Sequence, residues 1–171
     1  MDAKEMALAA LRVALATERQ GRQFYLEAAA KTSDPWGQEL FTLLAGDEVI
    51  HEQMLMARLE SLERSGSWSA PAEAPARHPL PAAGLPIFSR ERVSQHVNDY
   101  TYELSALRLA YLIEIDAVAF YRRAAAETAN PLGRAMFEEL AEMEREHQRV
   151  LEGEYRFLAD QFKDQMGFAP F

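Results

Sequence analysis

The chain is written twice. Shifted by 96 positions, residues 10–55 fall on 106–151 without a gap, and 19 of the 46 pairs are identical. Chance would give about three, so the halves are an internal repeat. The matches include Glu18 with Glu114, Glu48 with Glu144 and His51 with His147. Each half reads Glu, then Phe-Tyr (Phe24-Tyr25; Phe120-Tyr121), then Pro-x-Gly (Pro35 and Gly37; Pro131 and Gly133), then Glu-x-x-His. A fold built on this sequence must be a pair of equivalent units related by a pseudo-two-fold axis.

Periodicity gives the units their form. Leu8, Leu11, Leu15, Glu18 and Tyr25 recur at three-and-four spacing and predict a helix over 4–31. Asp34 is a good N-cap and Pro35 a good first residue for a second helix, about 35–64, with the stripe Phe41, Leu44, Glu48, His51, Leu55, Leu59 and Leu62. Leu104, Leu107, Tyr111, Glu114, Val118, Tyr121 and Ala125 mark a third helix, about 99–128. Asn130-Pro131 repeats the turn chemistry, and Phe137, Leu140, Glu144, His147, Leu151 and Leu158 mark a fourth, about 131–165. Between the halves, 65–88 carries Gly66, Pro71, Pro75, Pro79, Pro81, Gly84 and Pro86 and reads as an extended crossover. Ser89 to about His96 reads as a short helix. The expected fold is all-α, a four-helix bundle of two antiparallel hairpins joined by a long crossover. It forms a single domain over 1–171, with repeat halves of about 4–64 and 99–165.

In all four helices a polar group replaces an apolar one at a core position. Glu48 and His51 lie three apart on one helix face, as do Glu144 and His147, so each pair can ligate one ion. Glu18 and Glu114 come singly from the other two helices. A lone Glu-x-x-His is usually a solvated face. Two symmetric copies on apolar seams are different, because four buried carboxylates without cations would cost several kcal/mol each. No Lys or Arg lies on the inner stripes at this level. The six residues therefore predict a two-metal centre, matched to the ligand pattern known for carboxylate sites in such bundles. Carboxylate with imidazole suits iron or manganese, and spacing alone leaves zinc open. Tyr25 and Tyr121 follow Glu18 and Glu114 by seven residues, two turns along the same face. They read first as core aromatics with satisfied hydroxyls, and second as hydrogen-bond donors to a ligand or redox-active phenols, which makes them the candidate catalytic residues. Tyr111 is a similar candidate. His78 and His96 have no partner at ligand spacing, Glu52 and Glu146 read as surface, and Trp36 and Trp68 as structural.

Composition closes off other classes. The net charge of −9 argues against a nucleic-acid partner. With no cysteine there are no disulfides, iron–sulfur clusters or thiolate metal sites in these 171 residues. The start carries early acids and no apolar signal-peptide core, and no stretch approaches the roughly 18 apolar residues of a membrane span. A cytoplasmic protein with no membrane partner is expected. The two Phe of the tail 166–171 are expected to dock on the bundle or on a second subunit, in a homodimer.

Glu18, Phe24-Tyr25, Glu48-Val49-Ile50-His51, Glu114, Phe120-Tyr121 and Glu144-Arg145-Glu146-His147, on helices paired through Asp-Pro and Asn-Pro turns, resemble the rubrerythrin-like branch of the ferritin-like superfamily. The similarity covers about 4–160. It implies a ferritin-like bundle, a non-haem di-iron centre, and reduction of hydrogen peroxide, or oxidation of iron, in a cycle between diferrous and diferric states; the leading reading is a di-iron oxidoreductase acting on hydrogen peroxide or dioxygen. Two departures narrow that implication. Typical rubrerythrins carry a rubredoxin-like module held by four cysteines; here an electron donor must be a separate protein. Typical members also carry another Glu one turn after the third-helix ligand, where this chain has Ala117, matched by Gly21 in the first half. The six-residue set is thus more similar to that of bacterioferritin, and an exchange between that Glu and a His is not implied. Other readings are a ferroxidase or iron-handling protein, a small di-iron hydroxylase using space beside Gly21 and Ala117, and a structural protein that keeps metals only for stability.

Overall fold

The structure is a computed structural model that describes residues 2–69, 79–81 and 97–167. Among these residues there are four helices and no strand: α1 (Ala3–Lys31), α2 (Pro35–Ser65), α3 (Val97–Glu127) and α4 (Pro131–Met166). The helices match the expected spans to within about two residues. The expected short helix at 89–96, His78, His96, most of the crossover and the terminal Phe pair lie outside the described residues.

Local chemistry sets each boundary. Asp2 opens α1 with a capping box: its side chain accepts the Glu5 N–H at 2.8 Å, and the Glu5 carboxylate accepts the Asp2 N–H at 2.9 Å. Asp34 caps α2 by accepting the N–H groups of Trp36 and Gly37, and Asn130 caps α4 by accepting those of Leu132 and Gly133. Both α2 and α4 stop at a glycine in the left-handed region, Gly66 (φ 69°) and Gly167 (φ 76°).

The helix backbones approach closely within two hairpins, α1 with α2 and α3 with α4, and α1 also touches α3. The apolar core is split in two. One cluster joins Tyr25, Leu40, Phe41, Leu44, Leu104, Leu107, Leu151 and Leu158; the other joins Leu11, Leu15, Leu55, Leu62, Tyr121, Ala125, Phe137 and Leu140. On every helix the Glu and His candidates fall between the residues of one cluster and those of the other. The polar layer is therefore sandwiched between two apolar ones and shut off from water at both ends.

The two hairpin turns are covered differently. At the first, buried Glu103 of α3 accepts the Asp34 N–H at 3.2 Å and the Ser33 hydroxyl at 3.4 Å. At the second, buried Trp68 packs edge-on against Phe137, with ring centroids 6.2 Å apart. Of the two tryptophans expected to be structural, Trp68 is, whereas Trp36 is 55 % exposed, because it points outward from the first turn of α2. Gly133 is what lets Trp68 in: a Cβ there would lie 2.7 Å from two atoms of the indole ring and 2.8 Å from Thr128 Cγ2. Gly133→Ala is expected to destabilise the fold by about 1–3 kcal/mol through overpacking. Gly46→Ala, on an exposed part of α2 with nothing within 4 Å of the new methyl, should stabilise it by about 0.5–1 kcal/mol. Chemical denaturation of the two variants beside the parent chain checks both signs.

Candidate metal centre

The structure brings all six candidates into one cluster. Glu18 comes from α1, Glu48 and His51 from α2, Glu114 from α3, and Glu144 and His147 from α4; none is more than 3 % exposed. His51 Nδ1 lies 3.1 Å from Glu18 Oε2, 3.2 Å from Glu48 Oε2 and 3.0 Å from Glu144 Oε1. His147 Nδ1 lies 3.0 Å from Glu144 Oε2, 3.4 Å from Glu114 Oε1 and 3.9 Å from Glu48 Oε1. The two imidazoles face each other nearly parallel, centroids 5.4 Å apart. Two four-residue donor groups result, Glu18, Glu48, His51 and Glu144 on one side and Glu48, Glu114, Glu144 and His147 on the other, and a third of His51, Glu144 and His147 joins them, with donor atoms in each within 4.8 Å of one another. Glu48 and Glu144 belong to both four-residue groups.

This donor set fits a pair of divalent ions. Donors about 2.1 Å from one ion, at right angles, lie about 3.0 Å apart, close to the spacing of the imidazole nitrogens and carboxylate oxygens here. Glu144 Oε2 and His147 Nδ1 are 3.0 Å apart, yet neither meets a hydrogen-bond partner in good geometry among the described residues. Buried polar atoms without partners are rare in native proteins and call for an ion or a water. Hard carboxylate oxygens with two imidazoles suit iron or manganese.

The tyrosines cross the bundle. The Tyr25 hydroxyl donates to Glu114 Oε1, and the Tyr121 hydroxyl donates to Glu18 Oε1, each a short contact between opposite halves. Both phenols are fully buried, and each stacks on a phenylalanine of the following helix, Tyr25 on Phe41 and Tyr121 on Phe137. Burial first, and then the carboxylate each one faces, pushes both phenols well above their ordinary range. They therefore stay protonated and keep donating. Sequence spacing placed each Tyr on the face of its own Glu; the contact is to the Glu of the other half. Tyr111 is half-buried and packs against the apolar cluster around Tyr25.

Without metal, the cluster balances its charge with protons. Burial raises the Glu48 carboxyl well above its usual range, with Glu144 and Glu18 adding to it, and brings Glu114 to about 7. Burial pulls the imidazoles down, but surrounding acids outweigh it: Glu144 chiefly for His51, and Asp47, Glu114 and Glu144 for His147. Glu144 goes the other way. Burial opposes its charge, but it stands between both imidazoles and is held below the ordinary carboxylate range. Glu144 thus moves against Glu48 and Glu114.

Two features were not read from the sequence. Asp47, buried beside Glu48, accepts from His147 Nε2 at 3.2 Å; it has no copy in the second half, so the repeat gave no sign of it. Glu52 is not a free surface acid: it is mostly buried, with Arg19 at 3.1 Å and Arg22 at 3.7 Å. Glu146 is exposed, as expected.

The bundle and its buried carboxylate–imidazole cluster define a protein of the di-iron carboxylate class. Residues 9–155 match the sequence model of the rubrerythrin family, and the chain belongs to that family. No curated protein and no solved structure matches it. No helix among the described residues is long and apolar enough to cross a membrane.

The proton balance fixes a pH dependence for the metal-free protein. Carboxyls and imidazoles raised on folding bind more protons folded than unfolded, so they contribute stability below their unfolded values, and that contribution is lost as pH rises through the folded ones. For Glu114 the loss runs from about 4.5 to about 7, and for the histidines it begins near 6.5 and continues upward. The metal-free protein should melt at a lower temperature at about pH 8 than at about pH 5.5. Metal-loaded protein, with carboxylates ionised against cations, should widen its lead as pH rises. Thermal melts of both forms at the two pH values decide it; a gap that stays constant would mean the cluster does not share one proton balance.

Proposed function

We propose that this protein is a non-haem di-iron oxidoreductase that reduces hydrogen peroxide or dioxygen with electrons from a separate donor protein. The observation that carries the reading is the pair of donor groups sharing Glu48 and Glu144. Glu18 and His51 would complete one metal position, and Glu114 and His147 the other. Two iron ions would supply the two electrons that turn one hydrogen peroxide and two protons into two waters.

The protein's own residues do the rest. Glu48 and Glu144 span both donor groups, so their oxygens can follow a change of charge on either side. Tyr25 and Tyr121 hold Glu114 and Glu18 in orientation through hydroxyls that burial keeps protonated. The apolar layers above and below exclude bulk water, which strengthens every electrostatic contact inside. These 171 residues contain no cysteine and so no thiolate-held iron; the electrons would come from a separate donor that carries its own redox group. A hydroxylase reading has less support. A Cβ on Gly21 would meet Glu48 at an ordinary 3.6 Å, so the missing methyl leaves little room for an organic substrate. A cavity of about 550 Å³ near Trp68 and Asn130 is lined by no member of the cluster.

Anaerobic loading with Fe2+, followed by separate additions of hydrogen peroxide and dioxygen, tests the proposal. Two Fe2+ should bind per chain, and one peroxide should be consumed for each pair oxidised. Oxidation no faster than that of free Fe2+ would sink the reading. Continued uptake to many iron atoms per chain would move the function to iron handling.

The tyrosines give a second check. Tyr25→Phe and Tyr121→Phe each remove one buried donor to a carboxylate, so each should cost about 1–3 kcal/mol of stability. The two losses should be similar, because the contacts are symmetric. Iron content should stay at two per chain. Denaturation curves and metal analysis of both variants measure this; loss of the metal in either would make that tyrosine part of the binding site itself.

A further inference from the structure

The repeat makes the two metal positions equivalent in almost every respect. Each has a terminal Glu, an imidazole facing inward through Nδ1, a share of Glu48 and Glu144, and a tyrosine donor from the opposite half. Behind the imidazoles the equivalence ends. His147 Nε2 lies 3.2 Å from Asp47 Oδ2, with both side chains buried. His51 Nε2 is buried and has no hydrogen-bond partner among the described residues. The repeat pairs Asp47 with residue 143, which is Met143, itself buried. A thioether carries no charge and accepts hydrogen bonds only weakly.

A carboxylate behind a metal-binding imidazole fixes the ring and its tautomer and strengthens it as a ligand, typically by 10–100-fold in affinity. With Nε2 turned to Asp47, His147 presents Nδ1 toward Glu144 and Glu114 and would hold an ion through that atom. Nothing among the described residues backs His51 in the same way. Resting on the di-metal reading above, we infer that the two positions differ in affinity and fill in order. The His147 position, backed by Asp47, binds first and tightest; the His51 position, where Met143 replaces the carboxylate, binds second and releases first. Asp47 is a positioning residue, and Met143 is what makes the centre unequal.

The test is anaerobic titration of the metal-free full-length chain with Co2+, followed by calorimetry and by the visible spectrum of the bound ion. The parent protein should take up two ions in two steps, with dissociation constants about 10–100-fold apart. His147→Ala should remove the tighter step and His51→Ala the weaker. Asp47→Asn should weaken the tighter step by about 10–100-fold and leave the weaker one in place. Met143→Asp should tighten the weaker step and bring the two together. Far-UV circular dichroism on each metal-free variant separates these effects from misfolding, and Asp47→Asn, which conserves shape, decides the matter even if Met143→Asp does not fold. Two ions binding in one indistinguishable step, or Asp47→Asn weakening both steps alike, would overturn the inference while leaving the di-metal reading intact. Binding of at most one ion by the parent chain would overturn both.

Discussion

Four carboxylates buried between two apolar layers are the constraint on which this structure turns. A carboxylate in such surroundings must lose its charge or find a positive partner. Here both solutions operate within one cluster. Glu144 keeps its charge because both imidazoles stand beside it, whereas Glu48 and Glu114 are driven toward the protonated state. Protons on Glu48 and Glu114 relieve charge at a place where divalent cations could do so instead. Cations that displace those protons would offset the burial and the repulsion that raise the carboxyls, which couples binding to pH and to folding.

The helices were legible because their apolar stripes are long and their caps conventional. Asp34-Pro35 and Asn130-Pro131 mark starts, and Gly66 marks a stop. The cluster was legible because its six residues interrupt those stripes twice over in the same places. What periodicity does not carry is how one helix is rotated against another across the bundle. The crossing of Tyr25 to Glu114 and of Tyr121 to Glu18 is a fact of that rotation, and so is Glu144 standing between both imidazoles. Asp47 carries no such signal for another reason: repetition marks what the halves share, and the second half has Met143 in its place.

The same limit applies at the hairpin turns. Their local chemistry is nearly identical, Asx-Pro-x-Gly in both, and both caps form as expected. Their tertiary covers are unrelated. Glu103 latches the first turn through hydrogen bonds, and Trp68 covers the second by packing against a glycine that leaves space for it. Gly37 and Gly133 thus share a capping role, but the close approach of an indole ring is documented at Gly133. The repeat is strict where the cluster and its phenols require it and loose at the ends of the bundle.

That distribution says what holds the halves together. Helix backbones come close within each hairpin and much less between hairpins. Apart from Glu103 latching the first turn through Ser33 and Asp34, four polar contacts that cross run through the cluster: Tyr25 to Glu114, Tyr121 to Glu18, Glu144 to His51 and Asp47 to His147. Each candidate metal position draws donors from both hairpins, since Glu48 and Glu144 enter both groups. A cation held there would be a cross-link between the halves as well as a reaction centre. A change of charge at the centre would then act on the docking of one hairpin against the other, through carboxylates whose second oxygens are already committed to the opposite half. Duplication explains why this works: a hairpin that could bury its polar residues only against a copy of itself needs that copy on the same chain or on another, and here the crossover supplies it on the same chain.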